Sequence, residues 1–543
     1  MKSRNNRPSR NAKRGNAPKR MRSVLFSLML VSCAAAVSAG NLIPVRSFFA
    51  SAQQRQEKSN DNQAPAEARI DAGGGRGAEQ ISESARRQIE GLMQEKATRT
   101  RGRRKMDSRL IYGIKMQRGE RIADGVDSLQ VKVPLTERGD VMIDITANVD
   151  KHLLAKLKAA GATILGSYPE YNSVRVAVSL DAVDAIADFP EVIYVQPKQE
   201  AMTSQEIAPP VVDQTVDPEH LRTTRPEFEE RERNLSQEVV NALEEFQTNS
   251  YNVGTAGVRK SEGDKTHRTD VARNTYGVDG TGVKIGILSD GVRNLAASQA
   301  SGDIGPVTVL PGQSGTATGQ CAATSSCDEG TAMLEIVHDL APGAQLFFAT
   351  AFGGTANMAQ NIRNLRAAGC DIIVDDVFYF AETPFQDGQA PGVLSPNNEG
   401  IVAQAVADVT AGGALYFSSA GNSGNKNDGT SGVWEGDFVD GGAATGVLAG
   451  AGRVHLFPGG STFDTVTVAG SGAYVLNWGE PIGGATSDYD IYALNAAGTA
   501  VVSAGTSDQS VPGRDPIELM NVSAVNTRIV IVKFAGVGRF LHL

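Results

Sequence analysis

Thr281-Gly282-Val283-Lys284-Ile285-Gly286-Ile287-Leu288-Ser289-Asp290-Gly291 decides the reading of this chain. Its apolar centre is a strand, and it ends in a carboxylate that a buried strand would deliver to the carboxyl edge of a sheet. Downstream, Asp328-Glu329-Gly330-Thr331 opens a helix that runs into Ala341-Pro342-Gly343-Ala344, and Leu415-Tyr416-Phe417-Ser418-Ser419-Ala420-Gly421-Asn422 is another apolar strand entering a turn. Strands are predicted at 283–288, 345–350, 371–374 and 414–418, with helices at 329–340, 355–368 and 397–411 between them. Such alternation implies an α/β fold with a doubly wound, mainly parallel sheet, where sites gather at the carboxyl ends of strands.

Working outward, 139–200 carries strands at 141–147, 163–167, 174–178 and 192–196 and helices at 150–160 and 180–188. The order β-α-β-β-α-β predicts a ferredoxin-like module. On the other side, 441–543 has alternating segments at 465–468, 473–478, 490–494, 501–503, 527–534 and 539–543, separated by Gly, Asn and Asp turns. A small β-sandwich is expected there. The α/β region itself is placed at 269–440. Residues 53–138 read as a polar linker with one helix over 81–96, and 201–268 as an acidic, proline-punctuated linker where a maturation cut would fall. The basic run Arg99 to Lys105 reads as a solvated charge run or, alternatively, a processing site.

The 543 residues, 41% hydrophobic with 59 Gly, suit several globular units rich in loops. The net charge of -9 hides a basic start, so a folded nucleic-acid surface is not expected. That start precedes Val24-Leu25-Phe26-Ser27-Leu28-Met29-Leu30-Val31 and the small residues ending Val37-Ser38-Ala39. Residues 1–52 therefore read as a secretory signal region, with Ala50-Ser51-Ala52 as a second cleavage point, and the protein as secreted or held at the cell envelope. The apolar run is shorter than the roughly 20 residues that span a bilayer. Membrane attachment is expected only if Cys33, in a lipoprotein-like Leu30-Val31-Ser32-Cys33, is lipidated. Cys321 and Cys327 close a small loop that suits a disulfide, and Cys370 reads as a buried thiol.

The three quoted segments resemble the subtilase superfamily of serine endopeptidases. On that resemblance, Asp290 matches the first triad member, Glu329 stands where the family has His, and Asn422 matches the oxyanion-hole donor. The 139–200 module is similar to subtilase propeptides, which fold the enzyme and inhibit it. Sedolisins use Glu as base, paired with an Asp one turn along the helix, but here Met333 fills that place and Asn422 is kept. No Gly-Thr-Ser-x-Ala-x-Pro segment occurs, and Ser431 and Ser507 read as loop serines. The resemblance therefore implies a subtilisin-like but incomplete fold, a protein or peptide substrate, and a chain lacking its nucleophile. The other readings are a non-catalytic binding or regulatory protein and an envelope-attached adhesion scaffold.

The residues carry their own chemistry. Acyl transfer needs a nucleophile, a base, a group to orient the base and donors for the oxyanion. Asp290 could instead serve its Ser-Asp-Gly turn, and Glu329 the helix dipole. A Glu base, with a reference pKa of about 4.3 against about 6.5 for His, predicts an acidic optimum. Asp375 and Asp376 end a buried strand where, on the resemblance, subtilases line the substrate cleft, so Asp376 is expected as a substrate-binding residue; one of the two is expected to face Glu329 as a further acid or to bind a cation, the alternative being a structural turn acid. His338, nine residues after Glu329, falls on the opposite side of the helix and is expected in the packing. No cofactor is expected. Asp488-Tyr489-Asp490 is reminiscent of a calcium loop but reads as a turn into a strand, and a structural calcium is left open.

Overall fold

The computed structural model describes residues 80–133, 135–136, 138–203, 257–316, 327–386, 400–421, 432–444, 452–466, 473–522 and 526–543. The signal region, most of the acidic linker, Cys321, Asn422 and Ser431 lie outside them.

The stretch read as polar linker is the first surprise. It folds into helices α1 (Glu83–Ala97) and α2 (Ser108–Gln117), N-capped by the side chains of Ser82 and Asp107. Ala85, Ile89, Leu92 and Met93 form a buried stripe on α1, and Leu110, Ile111 and Ile114 one on α2. The basic run between them is folded rather than wholly solvated, although Arg101 and Arg104 remain exposed. Arg103–Lys105 is a helical turn, Arg103 pairs with Asp184, Arg104 with Asp508, and Lys105 Nζ donates to the carbonyls of Ala187 and Phe189.

Next come β1 (Val141–Ala147), α3 (Lys151–Ala159), β2 (Thr163–Tyr168), β3 (Ser173–Val178), α4 (Val183–Ala187) and β4 (Val192–Pro197). Their strands form an antiparallel sheet in the order β2-β3-β1-β4. The alternation read in 141–147 is the burial pattern of β1, whose Val141, Ile143, Ile145 and Ala147 are wholly buried.

The α/β region holds α5 (Thr269–Tyr276), β5 (Lys284–Ser289), α6 (Leu295–Ser301), β6 (Val307–Val309), α7 (Glu329–Leu340), β7 (Gln345–Thr350), α8 (Thr355–Ala367), β8 (Ile372–Asp375), α9 (Ile401–Ala411) and β9 (Leu415–Ser418). All strand pairs are parallel, in the order β6-β7-β5-β8-β9. Ile285, Ile287 and Phe348 pack with Leu334 of α7 on one face. Leu288, Ala349 and Ile373 pack with Ile362 of α8 and Ala405 of α9 on the other. The sheet is thus covered by helices on both faces, as the strand-helix alternation requires. At its β9 edge, Leu415 and Phe417 are exposed.

The remainder, from β10 (Glu435–Asp437) through β11 (Asp440–Ala443), β12 (Arg453–His455), β13 (Asp464–Thr465), β14 (Ala473–Trp478), β15 (Asp488–Leu494), β16 (Val501–Gly505), β17 (Ile517–Asn521), β18 (Arg528–Ala535) and β19 (Phe540–His542), is antiparallel. One sheet runs β10-β19-β14-β17; the other runs β11-β12-β18-β15-β16, with β13 also on β18. Because β10 pairs with β19, the sandwich begins before the boundary read at 440. Trp478, Tyr489, Ile491 and Ile531 fill its interior.

Candidate functional site

Asp290 follows β5 and is 3% exposed. Its Oδ1 accepts from the N–H of Gly291 at 2.5 Å and of Gly330 at 3.2 Å, and its Oδ2 from the N–H of Asp328 at 3.1 Å. The carboxylate thus seats the start of α7 against the end of β5. Burial raises its pKa, and the backbone N–H groups pull the other way. Thr350 Oγ1 donates to the Asp290 carbonyl at 2.7 Å and holds the strand end in place.

Glu329 is the first residue of α7, between the two N–H groups that Asp290 accepts. Gly330 has to be glycine because a Cβ there would lie 2.4 Å from the Phe348 ring and 2.6 Å from the Gly291 carbonyl. That close approach drives the helix start onto the sheet and buries Glu329, which is 9% exposed. Its Oε2 is buried and accepts no hydrogen bond. Desolvation pushes its pKa up to about 7; the Thr203 hydroxyl lowers it, while the hydrogen bond and charge of Asp376 and the charge of Asp290 raise it. A carboxyl at a helix start would ordinarily be favoured as the anion. Here burial and two neighbouring acids win.

Asp376 lies just past β8, facing Glu329 rather than standing apart from it. Its neighbour Asp375 turns away and accepts from Tyr416 Oη at 2.5 Å and Ser418 Oγ at 2.7 Å, so it braces β8 against β9. The three acids, Asp290, Glu329 and Asp376, therefore gather at the carboxyl ends of parallel strands. His338 is buried in the packing of α7. Met333 sits partly buried against the apolar face of β5 and β7. Just before the site, Cys327 is disulfide-bonded and holds a left-handed φ of 49°. Cys370 is a buried free thiol.

Sequence reasoning missed one contributor, the segment after β4. Met202 N–H donates to the Phe378 carbonyl at 2.9 Å, and Phe378 N–H to the Met202 carbonyl at 3.0 Å, an antiparallel bridge beside Asp376. Thr203 is 3% exposed and reaches Glu329. Upstream, Glu200 Oε1 accepts from the N–H groups of Gly353 and Gly354 ahead of α8 and pairs with Arg175 at 2.8 Å. Only the short run of residues after a predicted strand could have hinted at this, and it has no alternation of its own.

Ser507 is absorbed elsewhere, its Oγ accepting from the N–H of Ser108 at 3.2 Å. Asp488 and Asp490 hold Lys96 Nζ at 2.5 and 2.7 Å, so an ammonium stands between the carboxylates of the calcium-like stretch. Among the described residues there is no group of three or more His, Cys, Asp or Glu placed to hold a metal ion, and no helix is long and apolar enough to cross a membrane.

No family model matches this chain, and the comparison with curated proteins gives no match. Among solved structures, it is similar to fervidolysin from Fervidobacterium pennivorans, a keratinolytic enzyme related to subtilisin, at 14% identity and a TM-score of 0.25, covering 55% of this chain and 42% of that one. It is also similar to the epidermin leader peptide processing serine protease of Staphylococcus aureus, at 12% identity and a TM-score of 0.30, covering 53% of this chain and 62% of that one. The chain thus matches less than two thirds of either structure's length. At these scores the likeness carries no argument about activity.

Proposed function

We propose that the chain belongs to a secreted subtilisin-like serine endopeptidase acting on protein or peptide substrates, with Glu329 as the proton acceptor. The supporting observation is Glu329 itself: buried, flanked by two acids, and with a pKa near 7. A group so poised exchanges protons near neutrality, as a general base should. Asp290 fixes the helix that carries it, Asp376 faces it and raises its pKa, and Asn422 would donate to the oxyanion, a contribution of about 2.7–4 kcal/mol in such sites. The raised pKa moves the midpoint of the rising limb of activity from the reference carboxylate value of 4.5 up to about 7.

Residues 139–203 act in this reading as an intramolecular inhibitor. Thr203 occupies the space beside Glu329, and Met202 lies antiparallel to Phe378 as a substrate strand would. The nucleophile is not among these 543 residues, which contain no Gly-Thr-Ser-x-Ala-x-Pro segment. That same absence favours the second reading, a non-catalytic relative that keeps the cleft for binding.

The test starts with the gene beyond the Leu543 codon, read in every frame for that segment. A product carrying it should hydrolyse casein with the midpoint of rising activity at about pH 7, label with a fluorophosphonate, and lose both on Glu329→Gln. Undiminished hydrolysis by the Gln variant sinks the assignment of the base. A product with the segment and no labelling favours the binding reading.

A further inference from the structure

Strand β15 has no solvent face: all seven of its residues are buried. Tyr489, Ile491 and Ala493 point into the sandwich, while Tyr492 and Leu494 join Val530, Val532, Val501 and Ala504 in a second core. An antiparallel sheet commonly leaves one face to water. Here α1 and α2 cover it, and the second core runs without a break from Ile89, Leu92 and Leu110 into Ile143, Val176 and Val195 of the β1–β4 module.

Polar contacts fix the register of this cover. Lys96 Nζ lies between Asp488 and Asp490 with all three side chains essentially inaccessible. Arg99 donates to the carbonyl and hydroxyl of Thr506, and the backbone N–H of Thr506 donates to Ser108 Oγ at 3.0 Å. Gln130 N–H donates to the Val502 carbonyl at 2.7 Å, and Arg514 lies 4.1 Å over the Tyr194 ring. The same module meets the α/β region differently, through half-buried polar pairs such as Tyr168 with Asn357 and Tyr171 with Gln360, besides Glu200 and the Met202 bridge. Buried ion clusters occur on both sides, with Arg175 and Glu200 on the α/β side, so it is the continuous apolar burial that makes the sandwich side the stronger grip.

We propose that this outer face of the sandwich is a permanent docking surface for residues 80–203 as a separate polypeptide. Once the chain is cut between 203 and 257, the N-terminal piece stays seated on the sandwich and the protein persists as a two-piece noncovalent assembly. The docking needs only the cut, whatever makes it. Where the proposed function also holds, the cleft is freed by withdrawal of residues 201–203 while their module remains bound.

The test inserts a recognition sequence for a specific endoprotease between Pro210 and Pro226 of the full chain, cuts it, and follows the pieces by gel filtration. They should co-elute in equimolar amounts and still do so after dilution; separate elution of the N-terminal piece overturns the proposal. In the cut protein, Lys96→Met should weaken association by about 150-fold or more, the scale expected for stranding buried charges. Arg363→Ala, which removes a guanidinium donating to Tyr171 on the α/β side, should leave it nearly unchanged. The reverse ranking would place the anchor on the α/β region and sink the proposal. Should Lys96→Met fail to fold uncut, Ser108→Ala supplies the milder probe, with a shift of a few fold expected and none counting against the surface. Casein hydrolysis is not part of this readout, so failure here leaves the reading of the Glu329 site standing, and the converse.

Discussion

Two clusters of buried acids, one at Glu329 and one at Asp488, show how the same residue type serves opposite ends. At the sandwich, burial pushes Asp488 and Asp490 up while Lys96 pulls them down, and their charges outweigh burial to raise the lysine. One ammonium offsets only one of the two carboxylates, and burial still pushes Asp488 up to about 7, but the fixed lysine locks two parts of the fold together. At the cleft, no lysine or arginine is among the leading influences on Glu329, and acids on both sides oppose its ionisation. A proton stands in for the missing cation. A buried acid with a fixed counter-ion is structural, whereas one neutralised by an exchangeable proton is equipped for chemistry.

The largest effect should come from the paired cluster. Lys96→Met strands two buried carboxylates and should cost about 3–5 kcal/mol by urea denaturation, as for breaking a buried pair; a cost below about 1 kcal/mol, the scale of an exposed pair, would erase the distinction. Asp290→Ala removes the acceptor of three backbone N–H groups and should cost about 2–4 kcal/mol, with Asp290→Asn recovering part of it. If Ala and Asn prove equal and mild, Asp290 does not seat α7.

Glu329→Gln should have the opposite sign. Its folded pKa is raised above 4.5, so the stability tied to the protonated form is full below 4.5 and is lost as the pH rises through about 7. The Gln variant keeps the neutral form, so above pH 7 it should be more stable than the parent by about 1 kcal/mol after solvent screening, and its melting temperature should vary less across that interval. An unchanged pH profile would mean the cleft acids are hydrated and no different from surface ones. The smallest change belongs to Arg118→Ala, at the solvent-facing pairs with Asp181 and Asp184, where at most about 1 kcal/mol is expected in the same denaturation experiment.

The same contrast explains what was legible in the sequence. Helix 329–340 and strands 141–147, 345–350 and 473–478 could be read to the residue, because apolar periodicity, Gly330 and the Ala341-Pro342 stop all agree. Asp290, Glu329 and Asp376 were legible as strand-end and helix-start acids, and they meet. The region 80–138 misled because Lys96, Arg99 and Lys105 look like solvated charge, although each is buried against acids or carbonyls supplied from distant sequence, while Arg109 is buried against its near neighbour Asp107. Strands 435–437 and 453–455 are too short to show a period, and 517–521 was passed over although it pairs along its whole length with β14. Thr203 reaches Glu329 only through the path of the chain after β4, which no local pattern encodes.

A strand with no face to water also fixes where this protein can be divided for expression. Producing residues 257–543 alone would lay bare Tyr492, Leu494, Val530 and Val532 as one flat apolar strip on sheet, a template for self-association. Such a fragment should precipitate, whereas co-production with residues 80–203 should keep it in solution.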